Sequence, residues 1–380
     1  MRQYSKLGSE LILITKKLMS YKTFAPEGNE YLCTTYIKSL MNKIGFKVSI
    51  MAKKKGRDNV IGKIGTGNKS LVIACHMDTV PAGEGWKSNP NKALIKNGKI
   101  YGRGAIDNKG PFAISYCSIK SFLEKHPKFP GTLYLVTLAD EESDNIYGIK
   151  YLLKKGFKAS AGLIPDGGYM SKAVYGEKGC LQIIIESLGK QEHSALQEKG
   201  VHAINNLLYL INLIKKGLKY EKYDKRFTPL KINISKIKGG DIANTIPAYA
   251  YCQMDIRFPM GISSKQVLNN VQKIAQSTEN KKQSKFKITT VYKTEPHIAN
   301  NTRLIQSLNK SAKDINIKMD FITIAGNSVA KEFTKGGIPS IAHYPMEKIT
   351  AHEPNEYIEI KSMIKATKLY EKFLEHYFYS

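Results

Sequence analysis

Five side chains of metal-binding type stand in fixed order along the chain, each at or near the end of an apolar run. His76 ends LVIACH, Asp107 lies in YGRGAIDNKGP, Glu142 follows LYLVTLADE, Asp166 follows AGLIP, and His352 lies in ITAHEPNEYIEI. Two imidazoles and three carboxylates can hold two zinc-class ions, with one carboxylate shared between them. The carboxylates and a bridging hydroxide neutralise two dications; without cations they would repel and their pKa values would rise. Glu141 is beside a ligand and surplus to coordination, which frees it to act as the base that takes a proton from water. Asp78, two residues after His76, can accept the other ring N–H and fix the tautomer. The chemistry these groups can do is hydrolysis of an amide bond by a water that two metal ions activate. Alone, a histidine after a strand is a loop histidine, and Asp140-Glu141-Glu142 is a solvated acidic turn. The repetition of such groups at strand ends argues for a site.

The elements that must position these groups are legible as alternating patterns. Helices are expected over about 7–20 and from Pro26, in its first turn, to Gly45. LVIACH (71–76), TLYLVTLA (132–139) and AGLIP (161–165) are short apolar strands of the kind buried on both faces of a parallel sheet. Helices are expected at 110–125 and 146–155. From about Gly179 the order becomes strand, helix, two strands, helix, strand: CLQIIIES, 201–217, KINISKI, TIPAYAYCQMDIRF, 263–277 and KFKITTVY. That is a split βαβ arrangement. Helix 302–314, strands DFITIA and IPSIAHY and helix 360–378 then resume the first pattern. The fold class is α/β, a largely parallel sheet with helices on both faces, into which an α+β domain is inserted. The expected division is 1–178, 179–293 and 294–380, the middle part being the insertion. Ligands of such sheets bind at the carboxyl ends of the strands, where His76, Glu142 and Asp166 fall.

Other candidates are less specific. Arg257, in DIRF, is a planar donor suited to a substrate carboxylate or to a surface salt bridge. Asn244 and the run Gly326-Asn327-Ser328 are loop amides and hydroxyls. His193, in KQEHSAL, can reach a scissile carbonyl or sit idle in a loop. Gly62–Ser70 imitates a phosphate-binding loop but precedes a strand where that motif follows one, and is read as a turn.

Composition narrows the setting. The net charge is +27, carried by scattered lysines with no nucleic-acid-binding motif, so no nucleic-acid partner is expected. The five cysteines are far apart and form no C-x-x-C, which fits a reduced, cytoplasmic protein. The patch Leu11 to Ile14 is too short for a signal-peptide core, and no segment approaches a membrane span, so no membrane is expected.

Taken together, HMDTVPAGEGW, YGRGAIDNKGP, ADEES, PDGG, EHSA, NTIP, DIRF and AHEPNEYI resemble the di-zinc peptidase/deacylase family. That family includes succinyl-diaminopimelate desuccinylase, acetylornithine deacetylase, aminoacylase, carboxypeptidase G and the bacterial Xaa-His dipeptidases. The resemblance implies that His76 and Asp166 hold one ion, Glu142 and His352 the other, and Asp107 bridges. It implies zinc, with manganese or cobalt as alternatives. Glu141 is then the base, Asp78 the orienting carboxylate, and His193 the oxyanion donor. Arg257, Asn244, Gly326 and Ser328 bind the substrate. It also implies a cis peptide between Asp107 and Asn108, and a homodimer paired through the inserted lid. Asp166, where deacylases tend to carry Glu, together with YGEKG and AHEPNEYI, favours a dipeptidase. The alternative is a deacylase of N-acyl amino acids of the desuccinylase or acetylornithine deacetylase type.

Overall fold

The computed structural model describes residues 4–282 and 284–379. The chain divides into two compact units, Met1–Tyr175 with Ala299–Ile322 and Ser328–Ser380, and Gly176–Ile298 with Thr323–Asn327. The short segment Thr323–Asn327, which holds Gly326, therefore groups with the second unit, where the sequence pattern had put it in the first.

In the first unit the sheet order is Lys47–Ala52, Asp58–Thr66, Gly131–Leu138, Ser70–His76, Ala161–Ile164, Ser340–Ala342 and Lys172–Glu177. The four strands from Gly131–Leu138 to Ser340–Ala342 are parallel. The flanking pairings are antiparallel. The parallel centre is where the continuous apolar runs lie: Leu71, Val72, Ile73 and Ala74 are fully buried, as are Leu133 and Leu135. Lys47–Ala52 carries no such run and is mostly exposed, and neither it nor Asp58–Thr66 was expected.

Helices Lys6–Met19, Lys109–Lys125, Thr302–Asp314 and Ile360–Tyr379 share one apolar cluster with the sheet. Lys6–Met19 shows why: Leu11, Ile14 and Leu18 recur at helical spacing and are buried, and Ser5 Oγ caps the first turn by accepting from Gly8 N at 3.2 Å. Ile149–Lys154 and the unforeseen helix Val329–Lys335 pack together outside that cluster, the latter against Ala161–Ile164 and Ser340–Ala342.

Three expectations need correction. Pro26 is not in a helical first turn; it follows a cis bond from Ala25, and the helix spans Tyr31–Lys43. The turn-like reading of Gly62–Ser70 holds only for its middle, since residues up to Thr66 continue the strand Asp58–Thr66. TIPAYAYCQMDIRF is two strands, Thr245–Ile246 and Tyr249–Phe258, because Pro247 has no N–H to give a ladder.

The second unit is a four-stranded antiparallel sheet in the order Lys231–Gly239, Tyr249–Phe258, Gly179–Leu188, Lys285–Thr294. Alternation along it sends Leu181, Ile183 and Ile185, and Cys252, Met254 and Ile256, to one face. There they pack on helices Ala203–Gly217 and Ser264–Lys282, giving the expected split βαβ layer pair.

Candidate metal centre

Because four neighbouring strands run parallel, their carboxyl ends lie along one edge, and the next residues of each arrive there together. Ser70–His76 delivers His76, in register with Leu138. Gly131–Leu138 leads through Ala139 to Asp140, whose backbone is left-handed (φ 64°), and so to Glu141 and Glu142. Asp tolerates that conformation better than most side chains. Its carboxylate holds it there, accepting from Ile146 N at 2.7 Å and Tyr147 N at 3.0 Å. Ala161–Ile164 leads to Asp166, and Ser340–Ala342 to Tyr344.

Asp107 enters from the loop before helix Lys109–Lys125. The Asp107–Asn108 peptide is cis, as the resemblance implied. Asn108 Nδ2 donates to Pro165 O at 2.7 Å, tying this loop to the one that carries Asp166. Gly110 is required, because a Cβ there would collide with Ala105 O. His352 lies in the loop before Tyr357–Glu359 and is itself left-handed (φ 65°).

The expected ligands converge. His76 Nε2 is 3.0 Å from Asp107 Oδ1. His352 Nε2 is 3.1 Å from Asp107 Oδ2 and 3.0 Å from Glu142 Oε2. One carboxylate of Asp107 thus reaches both imidazoles. Donor atoms of His76, Asp107 and Glu142 lie within 4.8 Å of one another, as do those of His76, Glu141 and Asp166. Glu141 therefore stands among the candidate ligands, close to His76 and Asp166, and is half-buried.

Asp78 differs from expectation in one respect. His76 Nδ1 is 3.0 Å from the backbone oxygen of Asp78, and the Asp78 carboxylate is farther, at 3.5 Å. The carboxylate instead accepts from Glu142 N at 2.9 Å, so Asp78 contacts His76 through its backbone and Glu142 through its side chain. Its other oxygen, Oδ1, is buried without a hydrogen-bond partner.

The electrostatics of the protein groups alone point to cations. Burial raises Glu141 well above the usual carboxylate range, despite His76, and Asp166 and Glu142 add to the rise. Burial, with Asp107 beside it, lifts Asp166 to about 6. Burial also raises Glu142. For Asp107 burial acts the same way, but hydrogen bonds with His352 and His76 outweigh it and hold the group low. His352 is pushed up to about 10 by Asp107 and then Glu142. Burial would lower His76, yet Asp107 and Asp78 keep it well above its ordinary value. A cluster that raises its carboxylates and draws protons onto its imidazoles is short of positive charge. Divalent ions would supply that charge, and the mixed N/O donor set suits zinc-class metals.

Several contributors carried no signal in the sequence. Tyr344, which follows Ser340–Ala342, acts against burial on Asp166 and lowers its carboxyl. Arg57 pairs with Glu30 at 2.8 Å and Asp140 at 3.2 Å, all three buried, beneath the Glu141–Glu142 turn. Arg103 pairs with Glu356 at 2.7 Å beneath Asp107. Each joins segments far apart in sequence, so no local spacing announces them.

The remaining candidates are described within their own units. In the second unit, His193 sits in a two-residue strand opposite Thr245 and is exposed, and its Nδ1 accepts from Ala195 N at 3.1 Å. Asn244 O accepts from Ser194 N at 3.0 Å. Arg257 spends Nε and Nη2 on Asp255, at 2.6 and 2.9 Å, and Nη1 donates to Ala325 O at 3.1 Å. In the first unit, Ser328 Oγ caps helix Val329–Lys335, accepting from Ala330 N at 3.2 Å.

The chain belongs to peptidase family M20/M25/M40, whose sequence profile matches residues 72–376. It is a hydrolase of that family. It is 26% identical over 382 residues to the succinyl-diaminopimelate desuccinylase of Nautilia profundicola, covering 97% of this chain and 99% of that one. An uncharacterized metallohydrolase of Methanocaldococcus jannaschii is 30% identical over 390 residues, with 95% and 92% covered. The crystal structure of a tripeptidase from Staphylococcus aureus aligns with a TM-score of 0.80 over 98% of this chain and 99% of that chain, at 21% identity, a likeness of fold. No helix among the described residues is long and apolar enough to cross a membrane.

Proposed function

We propose that the protein is a metal-dependent amide hydrolase that removes the acyl group from a small N-acylated amino acid, as desuccinylases do. The observation that carries the hydrolytic reading is the meeting of His76, Asp107, Glu142 and His352, with Glu141 and Asp166 alongside. Full-length similarity to a desuccinylase supports the substrate class. It outweighs the sequence preference for dipeptides, which rests on Asp166 and the segments YGEKG and AHEPNEYI; a dipeptidase is the second reading.

His76, Asp107, Glu142, Asp166 and His352 would hold two divalent ions, zinc first, with manganese or cobalt as alternatives. When bound, the ions supply Lewis acidity that polarises the scissile carbonyl and acidifies water. Glu141 accepts the proton of the attacking water and returns it to the departing amine. Burial that raises its proton affinity suits it to both steps. Asp78 braces His76 and the Glu142 backbone through both steps. From the second unit, His193 is assigned to the developing oxyanion, Arg257 and Asn244 to the substrate carboxylate, and Gly326 to a further substrate contact, whereas Ser328, in the first unit, is given its helix-capping role instead. Pairing of two chains through the second unit, in the cytoplasm, completes the reading.

A panel of N-succinyl- and N-acetyl-amino acids, free dipeptides and tripeptides, assayed with metal-loaded protein, tests this. Rapid cleavage of the N-succinyl substrates with dipeptides nearly inert is expected. The reverse order would replace the deacylase by a dipeptidase.

A further inference from the structure

We propose that the buried Arg103–Glu356 ion pair is a positioning device for the metal centre: it fixes Asp107 and His352 relative to each other so that they can share an ion. The inference rests on the metal-centre reading above and extends it to two residues that touch no substrate.

Three loops of the first unit meet at this pair. Glu356 Oε1 accepts two consecutive backbone N–H groups, Ile106 at 3.0 Å and Asp107 at 3.2 Å. Glu356 Oε2 accepts from Arg103 Nη1 at 2.7 Å. The Glu356 backbone oxygen accepts from Gly102 N at 2.9 Å, which holds the start of the same loop. Arg103 Nη2 then points to three carbonyls, Ala82 at 3.1 Å, Pro81 at 3.3 Å and His352 at 3.4 Å. The Trp86 ring lies 5.3 Å from the guanidinium carbon, and its Nε1 donates to Ala82 O at 2.7 Å, closing the third loop over the pair. Both ionic side chains are almost fully buried, at 3% and 0% exposure.

The consequence is geometric. Asp107 and His352 lie in loops that leave the paired strands Lys99–Tyr101 and Tyr357–Glu359, several residues beyond the last ladder pair, Tyr101 with Tyr357, and their side chains lie 3.1 Å apart. The backbone of Asp107 is held by the carboxylate of Glu356, and the backbone of His352 by the guanidinium that the same carboxylate binds. Glutamine at 356 keeps an acceptor for the two N–H groups but loses the charge that fixes Arg103. Lysine at 103 keeps the charge but loses the fork that spans the carbonyls. Each should loosen the link between the two ligands while leaving the core untouched. Partners of this indirect kind typically change metal affinity by about 10- to 100-fold.

The test is calorimetric titration of metal-stripped wild type, Glu356→Gln and Arg103→Lys with zinc, paired with the visible absorption of the cobalt forms. Thermal melts and far-UV circular dichroism report folding. Expected are two ions for wild type. In folded variants, one of the two should weaken at least about tenfold, with an altered cobalt spectrum. Amide exchange at Ile106 and Asp107 should also speed up in Glu356→Gln. If both folded variants bind two ions with wild-type affinity and spectrum, the pair is merely structural and the inference falls. If Glu356→Gln fails to fold, Arg103→Lys decides by the same criteria, and failure of both to fold also assigns the pair to stability alone. Wild type that takes up fewer than two ions would remove the metal reading itself, and this inference with it.

Discussion

At the scale of single residues, Glu141 and Glu142 are neighbours in different settings, and the roles proposed for them follow from what each touches. Glu142 is paired with His352 and its backbone is held by Asp78, whereas Glu141 faces His76 and Asp166 in a setting that favours its protonated form. Glu141→Gln should keep the fold and metal content but lower kcat by about 10²- to 10⁴-fold, the usual contribution of a general base. Steady-state rates beside elemental analysis check this, and a near-normal rate would remove Glu141 as base. Arg257 is clasped by Asp255 and donates from Nη1 to Ala325 O, so a ligand carboxylate would have to use its remaining N–H groups or displace one of these contacts. Arg257→Ala should reduce kcat/KM by about 100-fold, mainly through KM, since truncating one partner of a charge pair costs about 2–5 kcal/mol. An unchanged KM would return Arg257 to a salt-bridge role. Among the candidate ligands, His76, Glu142 and Asp166 were readable because each ends or follows a buried apolar strand. The Arg57 and Arg103 pairs were not, since an arginine in a loop looks the same whether it is buried or free.

At the scale of elements, the parallel centre of the sheet was legible because a strand buried on both faces leaves an unbroken apolar run, as in Leu71–Cys75. The outer strand Lys47–Ala52 was not, since an exposed edge leaves no such record. Nor was helix Val329–Lys335, which is too short for a periodic pattern. Its cap gives Ser328 a role distinct from substrate binding. Ser328→Ala should lower stability by about 1 kcal/mol, the typical cost of losing such a cap, and leave KM within about twofold. Denaturant melts and Michaelis kinetics on the same sample separate the roles; a large rise in KM with normal stability would restore the substrate contact.

At the scale of the whole molecule, a buried histidine that is not one of the candidate ligands couples stability to pH. His343 is fully buried between Tyr370 Oη and Met170 O, both at 3.0 Å, and burial lowers it from 6.5 to about 4 despite the Met170 hydrogen bond. The unfolded chain takes up a proton here between those values and the folded one does not. Its contribution is therefore complete above pH 6.5 and is lost as pH falls toward 4. The difference is about 3 kcal/mol at most. Urea unfolding at pH 7 and pH 5 should show a smaller drop for His343→Gln than for wild type; equal drops would clear His343 of the effect. The ligand set has a consequence for biosynthesis. Glu142 and His352 share a contact across 210 residues. While a ribosome is still making the segment around His352, the nascent chain can offer His76, Asp107, Glu142 and Asp166, but not the imidazole that would complete the second proposed site. With the ligands proposed above, metal loading would be a late event in the life of the polypeptide, and ions captured earlier would sit in an incomplete, exchangeable site.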